Sequence, residues 1–267
     1  MARNLFCIFI AAAWTTILFP VTLVAMILTL NPGGAMWVVS RVWSPVLIWA
    51  GGGKLEIRGL ENVDFKRPTI FVANHQSTID IPVLFFALPV DFRFVAKKAL
   101  KYVPFLGWYM SLANFVFVDR GNHREAVASL DEAARRIRGG ISIAMFPEGT
   151  RSGDCRVLPF KKGPFALAMK AGVQVVPVTI EGTGRLMPKN SWNITPGPIK
   201  VMVGKPIEPA PFGEDREGLM RAVRDVIIAQ SLELGGVGGD RADAIAARGK
   251  EGIGRGSQEK SSEEGVA

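Results

Sequence analysis

A histidine and an aspartate stand five residues apart in the segment NHQSTID, residues 74–80. The segment follows Thr69–Ala73, an apolar run that predicts a buried strand. In α/β proteins the ends of strands are where sites are built. Five residues of helix would turn the two side chains about 140° apart. We therefore expect His75 on the turn after the strand and Asp80 in the first turn of a following helix, within reach of the imidazole.

An aspartate bound to one imidazole nitrogen fixes the tautomer and leaves the other nitrogen free to take a proton. No Ser or Cys lies in a G-x-S-x-G pattern, so a histidine base here would activate a hydroxyl group of the substrate. Two structural readings stay open. Residues 77–80, STID, match a capping box, so Asp80 can be a helix cap only. His75 can be a polar residue that merely ends a strand. His123, the second histidine, begins an amphipathic helix pattern and is a poorer candidate.

A second group of polar residues follows another predicted strand, Ile141–Met145, in the segment FPEGTRS, residues 146–152. Gly149 lets the backbone approach a ligand closely. Arg151 is suited to bidentate contact with a phosphate or a carboxylate. Glu148 can orient that arginine or accept a hydrogen bond from a substrate hydroxyl. The alternative is a surface loop with a salt bridge that adds little stability.

Three further segments are candidates of lower specificity. FVFVDR, residues 115–120, ends in Arg120, which can complete an anion clamp with Arg151 or simply begin a solvated loop. KKALKYVPFLGW, residues 97–108, sets lysines beside aromatic residues, a combination that suits a membrane surface or a phosphate site at a lipid groove. Its alternative is a basic surface helix followed by core aromatics. VVPVTIEG, residues 175–182, reads as a buried strand that affects a ligand only through shape.

The elements around these segments alternate between strands and helices from Lys54 onward. This alternation predicts an α/β domain over residues 51–234, with a largely parallel or mixed central sheet covered by helices on both faces. We predict helices beginning near Ile81 and at 123–138, 164–170 and 215–232. The predicted strands are Leu55–Arg58, Thr69–Ala73, Phe92–Ala96, Phe115–Val118, Ile141–Phe146, Val173–Ile180 and Ile199–Val203.

Residues 1–50 predict a membrane-associated helical hairpin. Leu5–Leu30 carries no charged side chain and is long enough to cross a hydrocarbon core of roughly 30 Å, although Pro20 is able to kink or break that helix. A Pro-Gly turn at 31–34 leads to a second apolar stretch, Ala35–Ala50, with three tryptophans typical of a bilayer interface. A hairpin within one leaflet, or two full spans, keeps Arg3 and the basic domain on the same side. A cleaved signal peptide is the alternative.

Composition excludes several classes of protein. The 267 residues are 48% hydrophobic, carry a net charge of +8 and include two cysteines. These values exclude disordered, collagen-like and disulfide-rich chains, and they argue against structural zinc. A basic and apolar chain favours anionic membranes or phosphorylated substrates over DNA. Residues 235–267 contain nine glycines and no aromatic residue, which predicts a disordered tail.

Four of these segments occur in a fixed order: NHQSTID, FVFVDR, FPEGTRS and VVPVTIEG. Together they resemble the glycerolipid acyltransferases of the 1-acyl-glycerol-3-phosphate acyltransferase family, over about residues 55–205. The preceding KKALKYVPFLGW stretch is also similar to that family. The resemblance covers the predicted α/β domain and agrees with the hairpin, but it does not extend to the tail.

The resemblance implies roles for individual residues. The H-x-x-x-x-D pair makes His75 the catalytic base and Asp80 the acid that orients it. It assigns the acyl-donor side to Val176 and Pro177. The residues that it associates with the phosphate and glycerol of the acceptor are Arg120, Glu148, Gly149, Thr150 and Arg151, with Lys101 as a further phosphate contact.

The implied reaction moves a fatty acyl group from acyl-CoA or acyl-carrier-protein to the 2-hydroxyl of 1-acyl-glycerol-3-phosphate, giving phosphatidic acid. It needs no metal and no bound cofactor. The expected partners are membrane lipids, lysophosphatidic acid and the thioester donor, without nucleic acid. The expected location is the cytoplasmic membrane, with the domain on the cytosolic side. Two alternatives remain: a related acyltransferase for glycerol-3-phosphate, a lyso-ornithine lipid or another lysophospholipid, and a non-catalytic lipid-binding membrane protein.

Overall fold

The computed structural model describes residues 2–29, 31–104, 106–118 and 123–239. Within these residues a seven-stranded sheet forms the centre of the molecule, in the order β1-β7-β6-β2-β5-β3-β4. Each predicted strand is present, with ends that shift by no more than two residues. The strands are β1 Gly53–Arg58, β2 Ile70–Ala73, β3 Phe92–Lys97, β4 Val116–Val118, β5 Ser142–Met145, β6 Val175–Glu181 and β7 Gly197–Val203.

The sheet is mixed, which confirms the predicted fold class. Strands β6, β2, β5, β3 and β4 run parallel to one another, whereas β7 is antiparallel to β6 and β1 is parallel to β7. Every residue of β2, β5 and β6 is buried, as expected for parallel strands covered on both faces. In β1, at the edge, the side chains alternate between half-buried and exposed. The adjacent parallel strands β2 and β5 therefore bring the two most specific motifs together at the carboxyl-terminal ends of the strands.

Helices cover both faces of the sheet and divide the core into two apolar clusters. Phe71 and Ala73 of β2 pack into one cluster, on the side of the N-terminal helices, while Ile70 and Val72 pack into the other. The helices of the described residues are α1 Ala2–Thr29, α2 Pro32–Val38, α3 Ser44–Ala50, α4 Asp80–Ala87, α5 Leu106–Leu112, α6 His123–Arg138, α7 Lys162–Ala171, α8 Thr183–Leu186 and α9 Arg216–Glu233.

The N-terminal residues form two antiparallel helical arms: α1 is the first arm, and α2 with α3 is the second. Helix α1 continues through Pro20 without a break, and Asn31 caps α2 by accepting the Gly33 N–H at 2.8 Å. A π-helical turn, Val39–Trp43, joins α2 to α3. The Trp43 indole N–H donates to Thr15 Oγ1 at 2.9 Å and binds the two arms together. By length and composition, α1 is able to cross a membrane, and only 11% of its most apolar window is buried.

The folded domain continues past Gly235, where the sequence predicts a disordered tail to begin. The Gly238 N–H donates to Ser231 Oγ at 3.2 Å, and the Val157 N–H donates to the Gly238 carbonyl at 2.8 Å. Arg156 also donates to the carbonyl of Gly239. Hydrogen bonds to backbone groups, which composition does not predict, therefore hold residues 235–239 in place. The rest of the predicted tail lies outside the described residues.

Candidate active site

The central feature of the site is a contact between the imidazole of His75 and the carboxylate of Asp80. His75 stands on the turn after β2, and Asp80 is the first residue of α4. The Nδ1 atom of His75 lies 2.7 Å from Asp80 Oδ2. The Asp80 side chain is fully buried, whereas 16% of the His75 side chain is exposed. This geometry leaves Nε2 as the imidazole nitrogen available to a substrate, as the spacing in the sequence predicts.

Asp80 also shapes the turn that carries His75. Its Oδ2 atom accepts the backbone N–H groups of Gln76 at 2.7 Å and Ser77 at 2.9 Å. The bond to Ser77 is one half of a capping box, and the Ser77 hydroxyl accepts the Ile79 N–H at 3.4 Å while it donates to the carbonyl of Met187 at 2.7 Å. The capping and imidazole-orienting readings of Asp80 are therefore both present in one carboxylate.

The imidazole packs against an aromatic ring from the second motif. The rings of His75 and Phe146 are stacked, with centroids 3.9 Å apart and planes 11° from parallel. Phe146 in turn stacks on Phe94 of β3 at 5.5 Å. Together with the bond to Asp80, this stack fixes both the plane and the rotation of the imidazole. The sequence gives no role to Phe146; its position directly after β5 is the signal that was available.

Glu148 joins the two motifs through the backbone of His75. Its Oε1 atom accepts the His75 N–H at 3.1 Å, and the Ser152 N–H donates to the His75 carbonyl at 2.7 Å. The Glu148 side chain is buried, and its Oε2 atom has no hydrogen-bond partner in the described part of the chain. Burial raises the pKa of Glu148 to about 8, because the charged form loses its hydration; the Asp80 carboxylate adds to this effect, and the backbone N–H groups of His75 and Leu158 oppose it.

The polar residues after Glu148 lie closer to solvent. Arg151 is half-buried and donates to Thr78 Oγ1 at 2.9 Å, so the arginine reaches the turn that carries His75. Thr150 is exposed and accepts from the Lys189 ammonium at 3.4 Å. Gly149 has a φ of +70°, a left-handed conformation that favours glycine. The alternative reading of this loop, a Glu148–Arg151 salt bridge, is absent from the described ion pairs, and Arg151 turns toward Thr78.

Two cavities meet at His75, one on each face of the sheet. The first has a volume of about 410 Å³ and is apolar; it extends from His75 and Phe146 between α1 and α5, past Phe19 and Tyr109. The second has a volume of about 610 Å³ and extends from the same two residues toward α6 and α7, past Gly149 and Lys161. The imidazole of His75 thus lines both cavities.

Three of the remaining predicted residues, Lys101, Val176 and Pro177, line neither cavity. Lys101 is exposed on the short 3₁₀ helix Lys98–Tyr102, next to Leu100, which lines both cavities. Val176 and Pro177 are buried in the middle of β6, paired with Phe71 and Val72 of β2, and they line neither cavity. Arg120 lies outside the described residues. The roles of these four residues stay predictions.

The described residues contain no group of three or more His, Cys, Asp or Glu side chains placed to hold a metal ion.

The sequence assigns no role to Lys161, which lines the second cavity. The available signal was its place at the end of a predicted loop, one residue before a short helix.

Comparison with known proteins places this fold and site in one class. A family model described as Acyltransferase matches residues 54–181, which include both motifs. The crystal structure of the 1-acyl-sn-glycerophosphate (LPA) acyltransferase PlsC from Thermotoga maritima is similar, with a TM-score of 0.75 and 33% identity. That similarity covers 87% of this chain and 95% of the PlsC chain. The fold and the site are those of an acyltransferase.

Curated relatives define the family more closely. A chloroplastic 1-acyl-sn-glycerol-3-phosphate acyltransferase of Brassica napus is 37% identical over 73% of this chain, and one of Saccharomyces cerevisiae is 36% identical over 75%. The chain belongs to the acyltransferase family of these 1-acyl-sn-glycerol-3-phosphate acyltransferases, which confirms the family that the sequence resembles. The matched region spans 56% of the length of the Brassica protein and 67% of the yeast protein.

Proposed function

We propose that this protein transfers a fatty acyl group from an acyl thioester to the 2-hydroxyl of 1-acyl-glycerol-3-phosphate, with His75 as the general base. The observation that carries the proposal is the 2.7 Å contact between His75 Nδ1 and Asp80 Oδ2 at the junction of two cavities. The names of the relatives, which are acyltransferases for that acceptor, support it. The donor is acyl-CoA or acyl-carrier-protein.

The reaction proceeds by direct transfer between two bound substrates. His75 Nε2 takes the proton of the acceptor hydroxyl, whose oxygen attacks the thioester carbonyl carbon. The buried Asp80 carboxylate stabilises the imidazolium cation that forms. The tetrahedral intermediate collapses, the carbon–sulfur bond breaks, and the thiolate leaves with the proton that His75 holds. An ester and a thiol are the products, and no metal or bound cofactor takes part.

The remaining groups of the site bind and orient the acceptor. Arg151 is available for the acceptor phosphate, because within the described residues its side chain donates only to the neutral hydroxyl of Thr78. Glu148 acts through the His75 backbone and keeps the base in place. From the resemblance, Lys101 and Arg120 are further phosphate contacts, with Thr150 beside the glycerol. Val176 and Pro177 act on the donor side through the shape of the sheet.

The N-terminal arms are the part of the chain that would hold the catalytic domain at a membrane. The acceptor and the product are lipids, and the first cavity extends from His75 along α1, a helix apolar enough to lie in a bilayer. We place the catalytic domain on the cytosolic face, where thioester donors are made. The basic net charge of +8 favours contact with anionic headgroups at that face.

The test is acyl transfer from labelled acyl-CoA and from labelled acyl-carrier-protein to 1-acyl-glycerol-3-phosphate, in detergent-solubilised protein. Wild type is compared with His75→Ala and with His123→Ala, which removes the other histidine. We expect phosphatidic acid from wild type and His123→Ala, and a loss of at least about 10²–10⁴-fold in His75→Ala.

Three outcomes would change this conclusion. Product formed only with glycerol-3-phosphate, a lyso-ornithine lipid or another lysophospholipid would change the acceptor and keep the mechanism. Undiminished turnover in His75→Ala would contradict the role of the base. Lipid binding without transfer to any of these acceptors would favour a non-catalytic lipid-binding protein.

A further inference from the structure

Lys161 is held against the loop that carries Glu148, Gly149 and Arg151. It stands directly before α7, and its backbone N–H donates to the carbonyl of Pro147 at 3.0 Å. The lysine side chain then runs over Gly149. A Cβ atom built on Gly149 would lie 2.8 Å from Lys161 Nζ and 2.9 Å from Cε. The ammonium group therefore lies against the backbone of the loop, in space that only glycine leaves open.

The same side chain lines the second cavity, together with His75 and Gly149. Lys161 has no carboxylate partner among the ion pairs of the described residues. Its neighbour Lys162 differs, because its ammonium binds Glu217 Oε1 of α9 at 2.6 Å. Two adjacent lysines thus have different surroundings: Lys162 joins two helices, whereas Lys161 offers an unpaired positive charge to the cavity that contains the base.

We propose that Lys161 is a substrate-binding residue whose ammonium pairs with the phosphate monoester of the acyl acceptor in the second cavity. The inference rests on the proposed function for the identity of the acceptor. An exposed cation at the lining of a cavity, without a carboxylate partner among the described residues, suits an anionic ligand. The acceptor carries its phosphate on the same glycerol as the reacting hydroxyl, so one molecule is able to reach both His75 and Lys161. The atoms next to a thioester carbonyl are uncharged, which argues against the donor.

The assignment adds a second explanation for why glycine is required at position 149. Its φ of +70° is strained for other residues, and a methyl group at this position would displace the Lys161 side chain. The loop thus presents Arg151 toward the His75 turn and leaves Lys161 room above Gly149. The two cations thus come from separate elements, Arg151 to the turn that carries His75 and Lys161 to the cavity that His75 lines.

The experiment compares Lys161→Ala, Lys161→Arg and Lys162→Ala with wild type. Initial rates are measured against 1-acyl-glycerol-3-phosphate at saturating donor, and against donor at saturating acceptor. In parallel, equilibrium binding is measured for 1-acyl-glycerol-3-phosphate and for 1-monoacylglycerol, which lacks the phosphate. Lys162→Ala is the matched control, since it removes an equal charge one residue away from the cavity.

We expect Lys161→Ala to lower kcat/KM for the acceptor about tenfold, mainly through KM, because it removes a charge-assisted bond to the phosphate. Binding of 1-acyl-glycerol-3-phosphate weakens to the same degree, and binding of 1-monoacylglycerol does not change. Lys161→Arg retains most of the affinity, while Lys162→Ala and the donor KM stay near wild type.

The inference is overturned if Lys161→Ala and Lys162→Ala have the same acceptor KM, or if only the donor KM rises. Loss of binding to both lipids would indicate damage to the cavity and would also overturn it. A wild type without turnover would refute the proposed function. In that case the binding arm still decides the inference, because a phosphate-dependent loss in Lys161→Ala needs no catalysis to be seen.

Discussion

The turn after β2 and the loop after β5 follow similar strands, but their polar side chains differ in burial and in the number of hydrogen bonds that they make. Both follow fully buried parallel strands that are neighbours in the sheet. In the turn, Asp80 is completely buried and one of its oxygens holds the imidazole and two backbone N–H groups. In the loop, Thr150 is exposed, and the one side-chain hydrogen bond that Arg151 makes within the described residues is to Thr78.

Under the proposed mechanism, this difference assigns proton transfer to the turn and phosphate binding to the loop. A proton transfer needs its donor and acceptor fixed to within a few tenths of an ångström, and burial with several bonds supplies that precision. A phosphate needs charge and access, and long cationic side chains near solvent are able to close around it. We therefore expect substitutions of His75 and Asp80 in the turn to reduce kcat steeply, and substitutions of Arg151 and of its partner Thr78 to change KM gradually.

The largest effect should come from Asp80→Asn. The substitution keeps the size of the side chain but removes the charge that stabilises the imidazolium, so we expect kcat at saturating substrates to fall about 10²–10⁴-fold. Adding His75→Ala should lower kcat little further, because the two residues act as one unit. Independent, multiplicative losses in the double variant would show that the pair does not act together.

The next effect is a pH dependence of the free energy of unfolding that arises from Glu148, which links the turn and the loop. Burial raises the pKa of this carboxyl from 4.5 to about 8, so between these values the folded state binds the proton more tightly than the unfolded state. The free energy of unfolding should therefore be highest at low pH within this window and fall toward pH 8, by up to about 1.4 kcal/mol per pH unit. Chemical denaturation between pH 5 and 8 measures this slope.

Glu148→Gln is the control for that measurement, since it has nearly the same shape and does not titrate. The variant should lose most of the decline in stability between pH 5 and 8. An equal decline in both proteins would assign the pH dependence to other groups and would weaken the case that Glu148 joins the turn and the loop as a neutral carboxyl.

A smaller effect is expected from Arg151→Lys in the loop. Lysine keeps the positive charge but lacks the planar fork that binds a phosphate through two hydrogen bonds. The acceptor KM should rise about fivefold to tenfold, with kcat nearly unchanged. Steady-state kinetics over a range of acceptor concentrations tests this. A fall in kcat at constant KM would place Arg151 with the catalytic turn instead.

The smallest effect should follow from Thr78→Ala. The change removes the 2.9 Å hydrogen bond that steadies Arg151 and touches neither His75 nor Asp80. A net hydrogen bond is worth about 1 kcal/mol, less at an exposed position, so the acceptor KM should rise about twofold. A much larger rise would mean that the position of Arg151 is fixed as strictly as that of the imidazole.

The sequence predicts the elements of this fold well, because hydrophobic periodicity and turn residues are local signals. All seven strands appear, and α9 begins one residue after the predicted start, at the Asp215 cap. The order of the strands is not local. The sequence alone does not place β2 next to both β5 and β6, and that neighbourhood is what brings residues 74–80 and 146–152 together.

Within the site, the sequence finds the residues whose chemistry is visible in their type. His75, Asp80 and Arg151 are such residues. It misses those whose role depends on packing: Phe146, whose ring supports the imidazole, and Lys161, which reaches Gly149 from twelve residues along the chain. Of the two effects that the sequence allows for Pro20, a kink or a break in the helix, the break does not occur, since α1 continues through it.

The two cavities at His75 have a consequence for the order in which substrates arrive. Because one opens on each face of the sheet, an acceptor in one does not block the route of a donor to the other. Under the proposed mechanism, both substrates are then bound before any bond changes, and no acyl-enzyme intermediate forms. Double-reciprocal plots at several fixed donor concentrations should intersect, whereas parallel lines would indicate that one product departs before the other substrate binds.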